Sequence, residues 1–574
     1  MRAAENHLLP ALSSWTPGDE AAAFDPDGLA RVARRVREPC VVVQDQESGR
    51  VGAGVGGSAS SSGPCSLVAA LPALWPEHLG NRAFLEAHAC RFPYVVGEMA
   101  QGLTTARMVV AAHEAGLLGF FGAAGLPPAK IEAAIDEIEA GVARHAGKDP
   151  HAWGTNLIHS PNEPDLEDAV VDLYLKRGVR RVSASAYMAL TPMLVRFAAS
   201  GLWQDGAGTI HRKSFVFGKI SRPETARAFL LPPPAAMLEA LVRAGKLTAD
   251  EARLAARVPV ATDVTVEADS GGHTDNQALP AVFPTVKQLA LTCARELGLE
   301  TSVRVGAAGG LGTPDAVAAA FTMGASYVLT GSVNQSAIES GLSLRGRQLL
   351  AQARLGDTTM APAADMFEMG VKVQVLKRGT LFAQRAHKLY ELYRGYPSLE
   401  AIPAAERAKL ENDILGGSVD ELWASTRAFF ERRDPTQIER AEADAKHKMA
   451  LVFRAYLGQA SKWAQAGDEK RALDFQIWSG PALGAFNAWV QGSFLEPLEA
   501  RTVAQIAWNL LEGAAVITRA QQLRAAGCPV PDDAFLFSPR PLTLVDDEAD
   551  AAHARSVRGP TTGSARGATS MELQ

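Results

Sequence analysis

Two stretches of this chain put residues able to do chemistry on flexible backbone directly after apolar runs. In "VEADSGGHTDN" (266–276) a strand-like start gives way to Glu267, Asp269, Ser270, Gly271, Gly272, His273 and Asp275. A histidine titrates near neutrality and can donate or accept a proton. The two glycines before it let the backbone come close to a flat ligand. The same imidazole could instead be held by a nearby carboxylate such as Asp275. In "VRVGAAGGLGTPD" (303–315) a strand ends in a run of glycines and a helix opens at Thr313-Pro314-Asp315. Such a turn offers backbone N–H groups to an anion with no Cβ in the way. A second small turn, Thr330-Gly331-Ser332, ends the next apolar run. The plainer alternative is that these glycines only make tight strand-to-helix turns. The spacing is unlike GxxxxGK[ST], and no ribose-binding acid follows at the dinucleotide distance, so a P-loop or dinucleotide fold is disfavoured.

The elements that must carry these residues follow from periodicity. From Phe92 onward short apolar runs alternate with amphipathic helical segments. The runs are "YVVG" (94–97), "LGFF" (118–121), "WGTNLI" (153–158), "RVSAS" (181–185), "SFVFGK" (214–219), "VTVEA" (264–268), "VRVGA" (303–307) and "YVLTG" (327–331). Several helical segments between them open with Pro, Asp or Thr and close with Gly, the expected start and stop signals. Strand–helix alternation implies a parallel sheet. Eight strands fit an α/β fold of the (β/α)8 TIM barrel type, which takes about 250 residues; a doubly wound sheet is the alternative. On this count "VTVEA" is strand six and the glycine turns follow strands seven and eight. His273 and the glycines then stand on the C-terminal rim, where barrel enzymes keep their chemistry and commonly bind phosphate.

After Ser332 the alternation stops, and residues 360–527 are rich in Ala, Leu, Glu, Lys and Arg at helical spacing. The expected organisation is an N-terminal extension over 1–90, the barrel over 91–359, an added mostly helical domain over 360–545 and a disordered tail over 546–574. In the extension, "EPCVVVQDQESGRVGAG" reads as two strands around a turn, and "GAGVGGSASSSGPCS" as a mobile loop.

Composition narrows the class. Of 574 residues 47% are hydrophobic and 21% charged, normal for a globular enzyme. The net charge of −6 gives no basic excess for nucleic acid. Five scattered cysteines without a CxxC pair indicate neither a zinc site nor a disulfide framework. No apolar run suits a signal peptide or a membrane span. A cytoplasmic protein is expected.

The motifs "LGNRAFLEAHACRFPYVVGEMAQGL", "WGTNLIHSPNEP", "VTVEADSGGHTDN" and "GAAGGLGTPDAVAAAFTMGASYVLTGSVNQ" resemble the FMN-dependent nitronate monooxygenase/enoyl reductase superfamily. Within it they are most similar to the PfaD-type trans-acting enoyl reductases of polyunsaturated fatty acid and polyketide synthases. The resemblance runs from about Leu71 past Arg540 and includes the helical region. It implies FMN as cofactor and NADPH or NADH as co-substrate. Its substrate would be a 2-enoyl thioester on an acyl carrier protein of a polyketide or fatty acid synthase; a homodimer is compatible with it. It implies that Gly97, Met99 and Ala100 lie beside the flavin ring and that Asn156 hydrogen-bonds it. Lys219 would face the ring's N1–O2 edge, and Gly271 and Gly272 would approach the ring. Gly309, Gly310, Gly331 and Ser332 would cradle the phosphate, and His273 would be the active-site histidine, donating a proton to the substrate α-carbon. Glu98 departs from the small residue expected there, and Glu267 reads as a structural acid. Lys372, Lys377, Arg378, Arg385, Lys388 and Arg394 form either a carrier-docking face or an ordinary solvated one. The alternatives are a nitronate monooxygenase, a flavin-free phosphate-binding isomerase or lyase, and a non-catalytic synthase scaffold.

Overall fold

A parallel strand enclosed by helices is covered on both faces, so it reads as a continuous apolar run rather than an alternating one. The eight runs are indeed the strands of a closed parallel barrel. In chain order, barrel strands one to eight are Tyr94–Val96, Leu118–Phe121, Gly154–Ile158, Arg181–Ser185, Phe215–Ile220, Asp263–Glu267, Arg304–Ala308 and Val328–Thr330. Strand eight pairs back onto strand one through Val328–Tyr94, Leu329–Val95 and Thr330–Val96, which closes the ring. The computed structural model describes residues 14–145, 147–160 and 164–544. The tail expected over 546–574 lies outside them. Among the described residues no helix is long and apolar enough to cross a membrane.

Several helices start at Thr-Pro or Thr signals in the sequence, but the one read from Pro284 begins at Leu279 and carries Pro284 inside it. Thr105, Thr191 and Thr313 cap helices Ala106–Glu114, Pro192–Ala199 and Pro314–Thr322 by accepting from the N–H groups of Met108, Leu194 and Ala316. Each threonine satisfies an N–H that has no partner within its helix. The helix that completes the ring comes from much later in the chain. Val503–Ala525 packs between Pro314–Thr322 and Ala106–Glu114. Trp508 Nε1 donates to the Ala115 carbonyl at 3.2 Å. A Cβ on Gly513 would come within 2.6 Å of the Pro314 ring. Residues 333–502 are therefore inserted between barrel strand eight and its helix. The expected boundary at 359 misses this, because helical spacing identifies a helix but not its neighbours.

Two further expectations are corrected. Residues 360–376 are not helical: Thr358–Pro362 and Lys372–Leu376 form an antiparallel ribbon. The segment read as a mobile loop belongs to a five-stranded sheet of Ser14–Thr16, Cys40–Asp45, Val51–Val55, Ser58–Ser60 and Cys65–Leu71. Its glycines make room for the Trp15 indole. A Cβ on Gly54 or Gly57 would lie 2.9 or 2.5 Å from that ring. Cys40, Val42 and Ala53 of this sheet pack against Ala520 and Leu523 of the ring-closing helix. The described residues up to Arg540 make one compact unit.

Helix Arg82–His88 plugs the N-terminal end of the barrel. Phe84 stacks on Tyr327 at 4.4 Å and packs with Phe120 and Phe217. Beside them the buried Asp263 receives a bidentate pair of hydrogen bonds from Arg304, at 2.6 and 2.8 Å. Arg181 Nε donates to His88 Nδ1 at 3.1 Å, so His88 is left to donate from Nε2 to Asp263 at 3.0 Å. Burial holds His88 neutral and lowers its pKa to about 4. Burial would raise the Asp263 pKa, but His88 and Arg304 outweigh it and hold the carboxyl well below the usual range. The unfolded chain protonates both groups first, so stability falls as pH drops from the ordinary histidine value of 6.5 toward about 4, and further below. His88→Gln should flatten the upper part of that slope in thermal midpoints measured against pH. Asp263→Asn should cost up to about 3–5 kcal/mol in denaturant titrations, because it removes the countercharge of Arg304, whose side chain is only 19% exposed.

Candidate functional site

The residues singled out for the flavin site all sit in the C-terminal half of a barrel strand or just beyond it. Strand one runs into Gly97-Glu98-Met99-Ala100. This turn is fixed by the Thr104 hydroxyl, which donates to the Gly97 carbonyl at 2.8 Å and accepts from the Met99 N–H at 2.9 Å. Gly97 packs so closely on strand eight that a Cβ would meet the Leu329 side chain at 2.5 Å. Asn156, buried on strand three, directs its amide N–H groups at strand four, donating to the Ser183 carbonyl at 3.0 Å and the Ser185 hydroxyl at 2.8 Å. Its carbonyl Oδ1 is left as an acceptor.

The mouth of the barrel holds a charge cluster. Lys219, from strand five, lies 3.1 Å from Glu267 and 3.5 Å from Glu98. Burial alone would lower the lysine pKa; the carboxylates of Glu267 and Glu98 outweigh it and raise it, so the ammonium stays charged. Glu98 Oε1 also accepts from the Ser183 and Ser185 hydroxyls at 2.8 and 3.1 Å. Its second oxygen is buried without a partner. Glu98 thus points into the barrel mouth, and Lys219 is bracketed by acids where the sequence left it unpartnered.

The histidine loop is held by the inserted region. Gly272, at φ +83°, exchanges both backbone hydrogen bonds with Gln374, at 2.9 and 2.7 Å. The Gln374 side chain donates to Asp269 Oδ1 at 2.7 Å and the Ser270 carbonyl at 2.8 Å. A Cβ on Gly271 would strike the Ser479 backbone at 2.8 Å. His273 is partly exposed, with Nε2 3.1 Å from Asp365 Oδ2. Desolvation pulls its pKa down, but Asp365 and Glu267 outweigh that and lift it above the ordinary histidine value. Asp275, the partner suggested by sequence, is instead occupied by Arg222 and Ser221.

The glycine turns follow the next two strands along the rim, and a Cβ on Gly309 would lie 2.7 Å from Ala268. Gly309 and Gly310 have φ of +86° and +73°, which favours glycine. Among the described residues no protein acceptor takes the backbone N–H of Gly310, Gly331 or Ser332, whereas the strand register directs the Gly309 N–H at the Leu329 carbonyl. Nothing lies within 4 Å of where a Cβ on Gly310 would stand. On Gly331 the nearest atom would be Met99 Cγ, at 4.0 Å. Adjacent turns with unclaimed N–H groups and open space above them suit an anion such as a phosphate. The Ser332 hydroxyl accepts from the Gly480 N–H at 3.1 Å, which ties the insertion to this turn as well.

Sequence reasoning missed Asp365, Gln374, Ser479 and Gly480. The only signal in the sequence is "WSGPALG" (478–484), where Gly and Pro interrupt the helical spacing. The basic stretch expected as a possible docking face is partly paired internally: Arg378, Arg385 and Lys388 pair with Asp357, Asp474 and Glu406.

Comparison with known proteins gives this geometry a family. A model of the inserted helical domain of [acyl-carrier-protein] S-malonyltransferase matches residues 396–475. A polyunsaturated fatty acid synthase polypeptide of Thraustochytrium sp. is 43% identical over 493 residues, 84% of this chain but only 32% of that protein. Polyketide biosynthesis protein PksE of Bacillus subtilis is 41% identical over 77% of this chain and 56% of its own length. The chain thus spans about a third and just over half, respectively, of these two relatives. The crystal structure of the enoyl reductase domain of MlnA, from the macrolactin cluster of Bacillus amyloliquefaciens, superposes with a TM-score of 0.74 and 36% identity. That match covers 78% of this chain and 99% of the MlnA domain. With the whole of that domain matched on a shared barrel, the chain belongs to the PfaD-type enoyl reductase family.

Proposed function

We propose that this chain is a trans-acting enoyl reductase of polyketide or polyunsaturated fatty acid assembly. It would reduce the double bond of 2-enoyl thioesters on acyl carrier protein with NADPH or NADH and FMN. The observation that carries this reading is the pair of glycine turns beside an imidazole loop, on a chain of this family.

Gly309, Gly310, Gly331 and Ser332 would form the FMN phosphate cradle, the last three offering it their backbone N–H groups. Gly97, Met99, Ala100, Gly271 and Gly272 would line the ring, and Asn156 Oδ1 would accept from it. Lys219 would stand at its polar edge. Bound FMN supplies the hydride relay from the nicotinamide to the substrate β-carbon. The protein's own task is then the proton for the α-carbon. His273 is suited to it: Asp365 engages Nε2 and favours the charged imidazolium, leaving Nδ1 to deliver the proton. General acid catalysis of this kind contributes about 10²–10⁴-fold.

Wild-type protein is expected to bind FMN, and Gly331→Val should weaken that binding at least about tenfold, an estimate resting on a blocked phosphate cradle. Its thermal midpoint in the flavin-free form should stay unchanged, since no protein atom stands closer than 4.0 Å to the new Cβ. His273→Ala should slow reoxidation of the reduced enzyme by enoyl thioester by at least ~10² while sparing reduction by NAD(P)H. Reoxidation by a nitronate but not by an enoyl thioester would overturn the assignment. The reacting form of His273 is protonated, so turnover should fall as pH rises through its raised pKa. Asp365→Asn lowers that pKa and should move the alkaline fall to lower pH; an unmoved profile removes His273 as the acid.

A further inference from the structure

We infer that Glu98 sets the reduction potential of the flavin bound in this site, acting as a positioning residue through Lys219. The inference rests on the flavin reading above and goes beyond it. Glu98 lies between Gly97 and Met99, both assigned to the ring's surroundings. Its carboxylate touches one of the two polar ring partners, Lys219, and reaches the other, Asn156, through Ser185. Asn156 donates to the Ser185 hydroxyl, which donates to Glu98 Oε1. Lys219 sits 3.5 Å from the same oxygen. Without Glu98 the mouth would hold one ammonium and one carboxylate, Lys219 with Glu267, and be neutral. With it, two carboxylates face one ammonium, and the cluster carries a net negative charge.

Glu98 Oε2 is buried with no hydrogen-bond partner, an arrangement that structural packing alone does not favour, since a buried carboxylate oxygen without a donor is costly. Its effect on a flavin follows from charge. Reduction by hydride adds two electrons and one proton, so the reduced ring carries one more negative charge than the oxidised ring. A fixed carboxylate behind the lysine disfavours that added charge and lowers the potential. It thereby makes the reduced cofactor a stronger hydride donor to the enoyl β-carbon. The lysine cannot cancel the effect, because Glu267 already shares its charge at 3.1 Å.

The test is an anaerobic equilibration of FMN-loaded protein with a reference dye, read by absorbance. Glu98→Gln keeps the shape and removes the charge. It should raise the midpoint potential by at least a tenfold change in the two-electron equilibrium, about 30 mV. Glu98→Ala should move it the same way and serves if the glutamine variant folds poorly. Ser183→Ala removes one hydrogen bond to Glu98 with no change in charge and should leave the potential at the wild-type value. A wild-type potential in both Glu98 variants, or an equal rise in Ser183→Ala, overturns the inference while leaving flavin binding intact. A wild-type chain that takes up no FMN overturns the parent reading and this one with it.

Discussion

The ring of helices around this barrel is closed by a segment that lies more than 170 residues beyond the last strand, and much of the architecture follows from that constraint. Strand eight ends at Thr330 and its helix begins at Val503. Whatever intervenes must leave and return through the eighth strand-to-helix connection, which opens on the C-terminal rim. In barrel enzymes that rim is the reactive face. An insertion at this point is therefore brought to the site by connectivity. The ribbon strand Lys372–Leu376 and the segment around Gly480 arrive there and pair with the histidine loop and with Ser332.

That placement explains how a loop rich in glycine can hold a histidine in one place. Two glycines in succession would leave His273 free to wander. Here Gly272 is locked by a reciprocal pair of hydrogen bonds to Gln374, and Gly271 has no space for a side chain against Ser479. The glycine freedom is used to let another backbone come close, and the hydrogen bonds from that backbone then remove it. Asp365, from the same ribbon hairpin, completes the arrangement by fixing the imidazole and favouring its charged form.

The two ends of the barrel handle buried charge differently. At the base, Asp263, Arg304, His88 and Arg181 satisfy one another, as expected of a region serving stability. At the mouth, Lys219, Glu98 and Glu267 are close enough to interact, yet one carboxylate oxygen is left bare. A complete network below and an incomplete one above is the pattern of a scaffold supporting a site that expects a ligand.

Much of the barrel was legible in the sequence. A strand covered on both faces must be apolar throughout, and Thr or Pro at a helix start acts through its immediate neighbours, so both signals are local. The rim location of His273 and of the glycine turns then followed by counting strands. The partners of those residues were not legible. Asp365 and Asp275 are equally acidic in the sequence, and only folding brought the first to His273 and gave the second to Arg222. The Gly/Ser-rich segment near the N-terminus read as flexible because the space its glycines leave is filled by Trp15, far away in sequence. Helical periodicity marked Val503–Ala525 but was silent on its place in the barrel ring. Sequence alone determined which residues could do chemistry and on which rim, because those depend on local pattern and order. Tertiary structure alone decided what holds them and what charge they feel, because pairing across long separations has no periodic signature.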